Sequence, residues 1–169
     1  MSSITWKAFE IGEICEIKSG VRLIKSDMQS GNIPFIGASD SNNGVTEFIS
    51  NINDSLDKNV LGVNYNGSVV ENFYHPYQCI FSDDVKRLEV KDEFNRNKWI
   101  YLFLKAVILK QKDKYQYGYK FNAQRMKKQK ILLPIDLQGK IHFEFIEKMM
   151  MEKELSQIMK LLDYFEHKN

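Results

Sequence analysis

Over the first ninety residues, apolar positions fall in short clusters divided by polar turns. Residues 6–17 (WKAFEIGEICEI) carry apolar side chains at short intervals, punctuated by Gly12 and a Lys18-Ser19-Gly20 break. The pattern predicts short strands, or a strand with one helical turn. A run at 33–36 (IPFI) leads into Ala38-Ser39-Asp40-Ser41-Asn42-Asn43-Gly44, and a further strand is expected at 45–49. Asn-Gly marks a turn here because both residue types tolerate positive φ. Residues 60–63 and 69–74 flank a second Asn-Gly segment, Asn64-Tyr65-Asn66-Gly67-Ser68, which is the signature of a hairpin. Two more strands are expected at 78–82 and 85–90, separated by Asp83-Asp84.

The period changes after Asn95. Ile100, Phe103, Leu104, Val107 and Ile108 recur at helical spacing within 97–111, a window too long for one strand. A tyrosine- and lysine-rich stretch follows, then ILLPI at 131–135 as a strand or turn, then a loop with Gly139. From His142 to His167 there is neither Pro nor Gly, and good helix formers dominate. Met151, Leu155, Ile158, Leu162 and Phe165 step by 4, 3, 4 and 3, the seam of a coiled coil or of a helix laid along another. At about 1.5 Å per residue this helix is roughly 39 Å long. The expected fold class is α+β: a mostly β globule over 1–139 with a helix near 97–111, then a long C-terminal dimerisation helix over 140–169.

With 169 residues, 43% of them hydrophobic, the chain can bury one sizeable core. No stretch approaches the ~20 consecutive apolar residues that a membrane crossing needs, and the N-terminus lacks a basic start and an apolar run. A cytoplasmic location is expected. Cys15 and Cys79 form no CxxC pair and are expected as buried thiols; His75, His142 and His167 have no ligand spacing, so neither a metal nor a cofactor is expected.

Charge is informative only locally. Between Lys105 and Lys130 nine Lys or Arg face one acid, Asp113, a local excess of +8 in a chain whose net charge is +2. Such asymmetry suits a polyanion-binding face. Tyr115, Tyr117, Tyr119 and Phe121 interleave with these cations, a composition fit for phosphate contact and for packing rings on sugar or base. Lys114, Lys120, Lys127, Lys128 and Lys130 are candidate phosphate contacts, and Arg125 offers a planar fork matched to guanine acceptors. The amide-rich loops supply further candidates, Asn42, Asn43, Asn64, Asn66 and Ser68, with Tyr74 and His75 close by in sequence. Asn and Ser also serve turns by backbone chemistry alone, so these loops have a purely structural reading as well.

Catalytic patterns are weak. Asn32-Ile33-Pro34-Phe35 only loosely matches an amino-methyltransferase motif, and no glycine-rich cofactor loop accompanies it. Asp84-Val85-Lys86 matches the tail of a nuclease pattern, but no Pro-Asp precedes it.

In order, the segments resemble the target recognition domain of type I restriction-modification specificity subunits and of related type II specificity subunits. The opening Trp6…Phe9-Glu10-Ile11-Gly12-Glu13-Ile14 with Ser19-Gly20 is similar to the family's start. Ile33-Pro34-Phe35-Ile36 with Asn42-Asn43-Gly44-Val45, then Gly67…Phe73-Tyr74…Phe81-Ser82-Asp83-Asp84-Val85…Leu88, resemble its middle. Tyr117-Gly118…Arg125-Met126-Lys127…Ile131…Leu133-Pro134 resembles its close. The resemblance implies an α/β globule with a long helix that performs no chemistry. It implies recognition of a double-stranded DNA sequence on behalf of a partner methyltransferase, often with a restriction subunit. Family members usually hold two recognition domains and two long antiparallel helices, whereas this sequence has one of each. It is then either half of a longer protein or a half-subunit whose copies form a homodimer through residues 143–165 and read a split symmetric site. A competing reading is a protein assembly module that docks through its C-terminal helix, with incidental nucleic-acid affinity.

Overall fold

The computed structural model describes residues 4–115 and 118–167. The chain opens with β1 (Thr5–Glu10), a single helical turn α1 (Ile11–Ile14) and β2 (Cys15–Ser19). This is the strand-turn-strand reading of residues 6–17. Next come β3 (Ser30–Ile36), β4 (Val45–Ile49), β5 (Val60–Asn64), β6 (Asn72–His75), β7 (Ile80–Phe81) and β8 (Val85–Val90). The helix expected over 97–111 is α2 (Lys98–Leu109), started by Asn97, whose side chain accepts from the backbone N–H groups of Trp99 and Ile100. A short helix α3 (Ala123–Lys128), β9 (Lys130–Ile135) and the long α4 (Phe143–Glu166) complete it.

The centre is an antiparallel sheet in the order β2-β8-β5-β6. Every residue of β5 is buried, because both faces of the sheet are covered. Leu61, Val63, Leu88 and Val90 share one core with Ile100, Leu104 and Ile108 of α2, and Phe121 and Met126 belong to the same core. On the other face Val60 and Val85 meet Ile36, Cys79 and Phe81 of the small β4-β3-β7 sheet and its approaches. The hairpin expected around residues 64–68 is the β5-β6 pair, with Val63 opposite Asn72. β1 and β9 form a separate antiparallel pair. Both cysteines are buried and unpaired, and burial pushes each thiol up to about 12.

Only the start of α4 belongs to the globule. Ile146 is buried, Met149 and Met150 pack on the core, and Glu154 meets Lys98 at 2.9 Å. Residues 151–167 are all exposed. Met151, Leu155, Ile158, Leu162 and Phe165 thus form an uncovered ridge. Among the described residues no helix is long and apolar enough to cross a membrane.

Candidate nucleic-acid interface

The C-terminal end of β5 gathers the asparagine loops. Residues 42–44 form a tight turn in which Asn42 and Asn43 are left-handed (φ 50° and 53°) and exposed. Amide side chains bond their own backbone readily, which is why Asn tolerates this region. The second loop is locked to the first. The Asn64 Nδ2 donates to the Ser39 carbonyl at 2.9 Å, the Ser68 N–H reaches the Ala38 carbonyl at 3.5 Å, and Gly67 (φ 60°) lies so close that a Cβ there would sit 2.7 Å from the Ala38 oxygen. Val70, fully buried, has φ 70°, a conformation that costs a β-branched residue roughly 1–3 kcal/mol. Its N–H donates to the Asn64 carbonyl at 2.9 Å, and this bond, with the buried side chain, holds the strained backbone.

Asp84 anchors the loop from below, accepting from Asn66 Nδ2 at 2.9 Å, so the Asp84-Val85-Lys86 triplet is part of the scaffold. Lys86 lies 4.4 Å above the Tyr65 ring and donates to Ser19 Oγ at 3.0 Å. Lys112 pairs with Glu71 at 2.5 Å; that bond and nearby charge, Asp40 included, raise its pKa. The Lys105 ammonium caps the Phe73 ring at 4.6 Å and donates to the Asn72 carbonyl; partial burial lowers its pKa.

The later part of the basic stretch reaches these loops as well. Lys120 lines a small pocket with Asn66, Gly67 and Val69. Its carbonyl accepts from Arg125 Nη1 at 2.8 Å, and the guanidinium stacks 3.8 Å from the centre of the half-exposed Tyr119 ring. Tyr119 stacks in turn on Tyr115, whose hydroxyl donates to Gln129 at 2.6 Å. Arg125, Lys128 and Lys130 surround the cleft beside this stack.

Other sequence candidates sit elsewhere. Asn64 is buried as the tie between the two loops, so it holds the surface and does not present a contact. Tyr74 and His75 lie on β6 towards the opposite end of the sheet, and this corrects their expected place at the interface. The Tyr74 hydroxyl donates to Asn59 at 2.7 Å, and His75 is fully buried against Phe81. Burial lowers the His75 pKa to about 4. Lys127 points to a separate cleft with Lys18 and Lys91, Lys114 borders a groove beside α4, and Lys130 lines both that groove and the cleft beside Arg125. Tyr117 lies outside the described residues. The sequence reading missed α3, whose signal was present: Asn122 accepts from the Arg125 N–H at 3.0 Å as an N-cap, ahead of good helix formers. Lys112, counted in the basic stretch, and Lys86 are not singled out as contacts in the sequence, and the fold sets both beside the asparagine loops.

Residues 3–161 match the type I restriction modification DNA specificity domain. The chain belongs to this family. It is 62% identical over 154 residues to the BgcI type II restriction enzyme specificity subunit S.BcgI of Heyndrickxia coagulans, with 91% of this chain covered. It spans 45% of that relative's length. Two solved structures share the fold. The S subunit of a type I restriction-modification system from M. genitalium superposes with a TM-score of 0.60 at 21% identity, over 94% of this chain and 42% of that one. The HsdS subunit from Thermoanaerobacter tengcongensis gives 0.62 at 16% identity, over 97% of this chain and 40% of that one.

Proposed function

We propose that this specificity domain binds double-stranded DNA sequence-specifically and directs a partner methyltransferase, with or without a restriction subunit, to its site, performing no catalysis itself. One observation carries the reading: Lys120 shares a pocket with the asparagine loop while its carbonyl fixes Arg125, so the amide loops and the cation-tyrosine stack form one continuous surface. Asn42, Asn43, Asn66, Tyr119 and Arg125 offer base-edge and stacking chemistry, while Lys120 and Lys128 suit phosphate. The globule of residues 1–139 reads, and the helix of residues 140–169 pairs with a second copy of the domain, its first two turns remaining on the globule.

The test is a duplex titration across salt concentrations. Lys120→Ala should weaken all duplexes alike and reduce the log-log salt slope by about 1. Arg125→Ala should instead lower the preference for the cognate sequence by about 1–3 kcal/mol. Equal affinity of both variants and the unmodified chain for every duplex contradicts the assignment.

A second reading, an assembly module docking through α4, is favoured by the exposed ridge on that helix. It makes DNA affinity incidental.

A further inference from the structure

A groove of about 700 Å³ lies between α2, α4 and the β1-β9 pair, and no residue of the asparagine loops lines it. Its floor is apolar, built by Trp6, Phe103, Leu132, Met149 and Met150. Trp6 and Leu132 remain 44% and 59% exposed, and Trp6 is steadied by stacking on Phe103 with ring centres 6.4 Å apart. The rim is cationic: Lys110, Lys114, Lys130 and Lys153 border it, and no carboxylate does. Among the described residues Lys110, Lys130 and Lys153 form no ion pair.

We propose that this groove docks an amphipathic helix of a partner protein, its apolar ridge seated on Trp6 and Leu132 and its flanking carboxylates facing the four lysines. The inference rests on the specificity-subunit reading, which supplies a protein to be positioned. Charge complementarity selects the flanks of the guest, and the apolar floor selects protein over nucleic acid, since a phosphate track gains nothing from an exposed Trp and Leu. Rigid aromatic anchors and adaptable methionines are the residues that such helix-binding surfaces favour.

The α4 ridge of a second copy is a different surface. At 3.6 residues per turn, Met149 and Lys153 lie about half a turn from the line of Met151, Leu155, Ile158, Leu162 and Phe165. A mate laid on that line leaves the groove open.

The experiment uses the intact chain, purified with the catalytic subunit of its restriction-modification system. Leu132→Glu, and separately Lys110→Glu with Lys153→Glu, should each weaken capture of that subunit by about tenfold or more, while duplex affinity, solution mass and melting temperature stay unchanged. Capture by the unmodified chain should also weaken as salt rises. Undiminished capture by both variants overturns the proposal. So does a selective loss of duplex binding, which assigns the strip to nucleic acid, or a change of mass, which assigns it to a second copy. An unmodified chain that holds duplex but no catalytic subunit overturns the groove alone; one that holds neither overturns the specificity-subunit reading with it.

Discussion

Arg125, a base contact in the proposed function, is held in place by the protein itself. Its Nη1 is committed to the Lys120 carbonyl and its plane to the Tyr119 ring, leaving the rest of the fork to reach outward with few rotamers to lose. Lysine at this position keeps the charge and loses the plane. His75 is prepared in the opposite sense, for the interior. Burial lowers its pKa to about 4 from an ordinary 6.5, so the folded state holds it neutral. As pH falls below 6.5 the unfolded chain takes up the proton first, and stability drains until pH reaches about 4; the full effect is on the order of 3 kcal/mol. Urea unfolding at pH 7, 5.5 and 4 should show this loss in the unmodified protein and a smaller one in His75→Phe. An identical slope in both assigns the acid sensitivity elsewhere. His75 also marks what sequence cannot convey: Pro76 and Tyr77, which follow it, lie outside any strand, but the alternation of β6 turns it into the sheet against Phe81.

At the scale of elements, the seam between the loops at 38–44 and 64–71 sets how the proposed DNA-contacting amides stand relative to one another. Gly67 is its tightest point, with positive φ and the Ala38 carbonyl where a side chain would go. Gly67→Ala should cost about 1–2 kcal/mol, the penalty of a left-handed non-glycine residue, and must also push the loops apart. Thermal unfolding should record the first effect. Duplex affinity measured well below the melting point should fall too; unchanged affinity means the seam is only structural. The strands were legible because alternation and Asn-Gly turns are local signals: β4 and β8 lie where the pattern puts them, and the β5-β6 hairpin forms with β6 beginning at Asn72, three residues later than expected, because Val69 and Val70 belong to the turn. α3 was obscured by the density of lysine and tyrosine around it, although Asn122 announced it. Asn64 and Asn66 read alike in sequence, both turn formers beside Tyr65. The fold separates them, sending Asn64 to the Ser39 carbonyl in the interior and Asn66 to Asp84 at the half-buried edge.

At the scale of the molecule, the two surfaces lie at different ends. α2 runs from Lys98, where α4 leaves the globule, towards Lys112, which pairs with Glu71 beside the loops. α4 therefore departs from the end away from the loops, so that under the proposed function two copies joined through it can present both loop surfaces to DNA. Shortening the chain after residue 150 keeps Ile146 and the methionines that pack on the core. The shortened form should stay folded, sediment as a monomer where the full chain sediments as a dimer, and retain weak salt-sensitive duplex affinity. A shortened chain with no duplex affinity at all favours the assembly-module reading.

The most direct measurement is selection of the chain, together with its catalytic partner, against a pool of randomised duplexes at low salt. The account predicts enrichment of one defined motif, split and symmetric if two copies act together, and loss of that enrichment in Asn43→Ala with Asn66→Ala. Retention of duplexes with no motif, or of none, contradicts it.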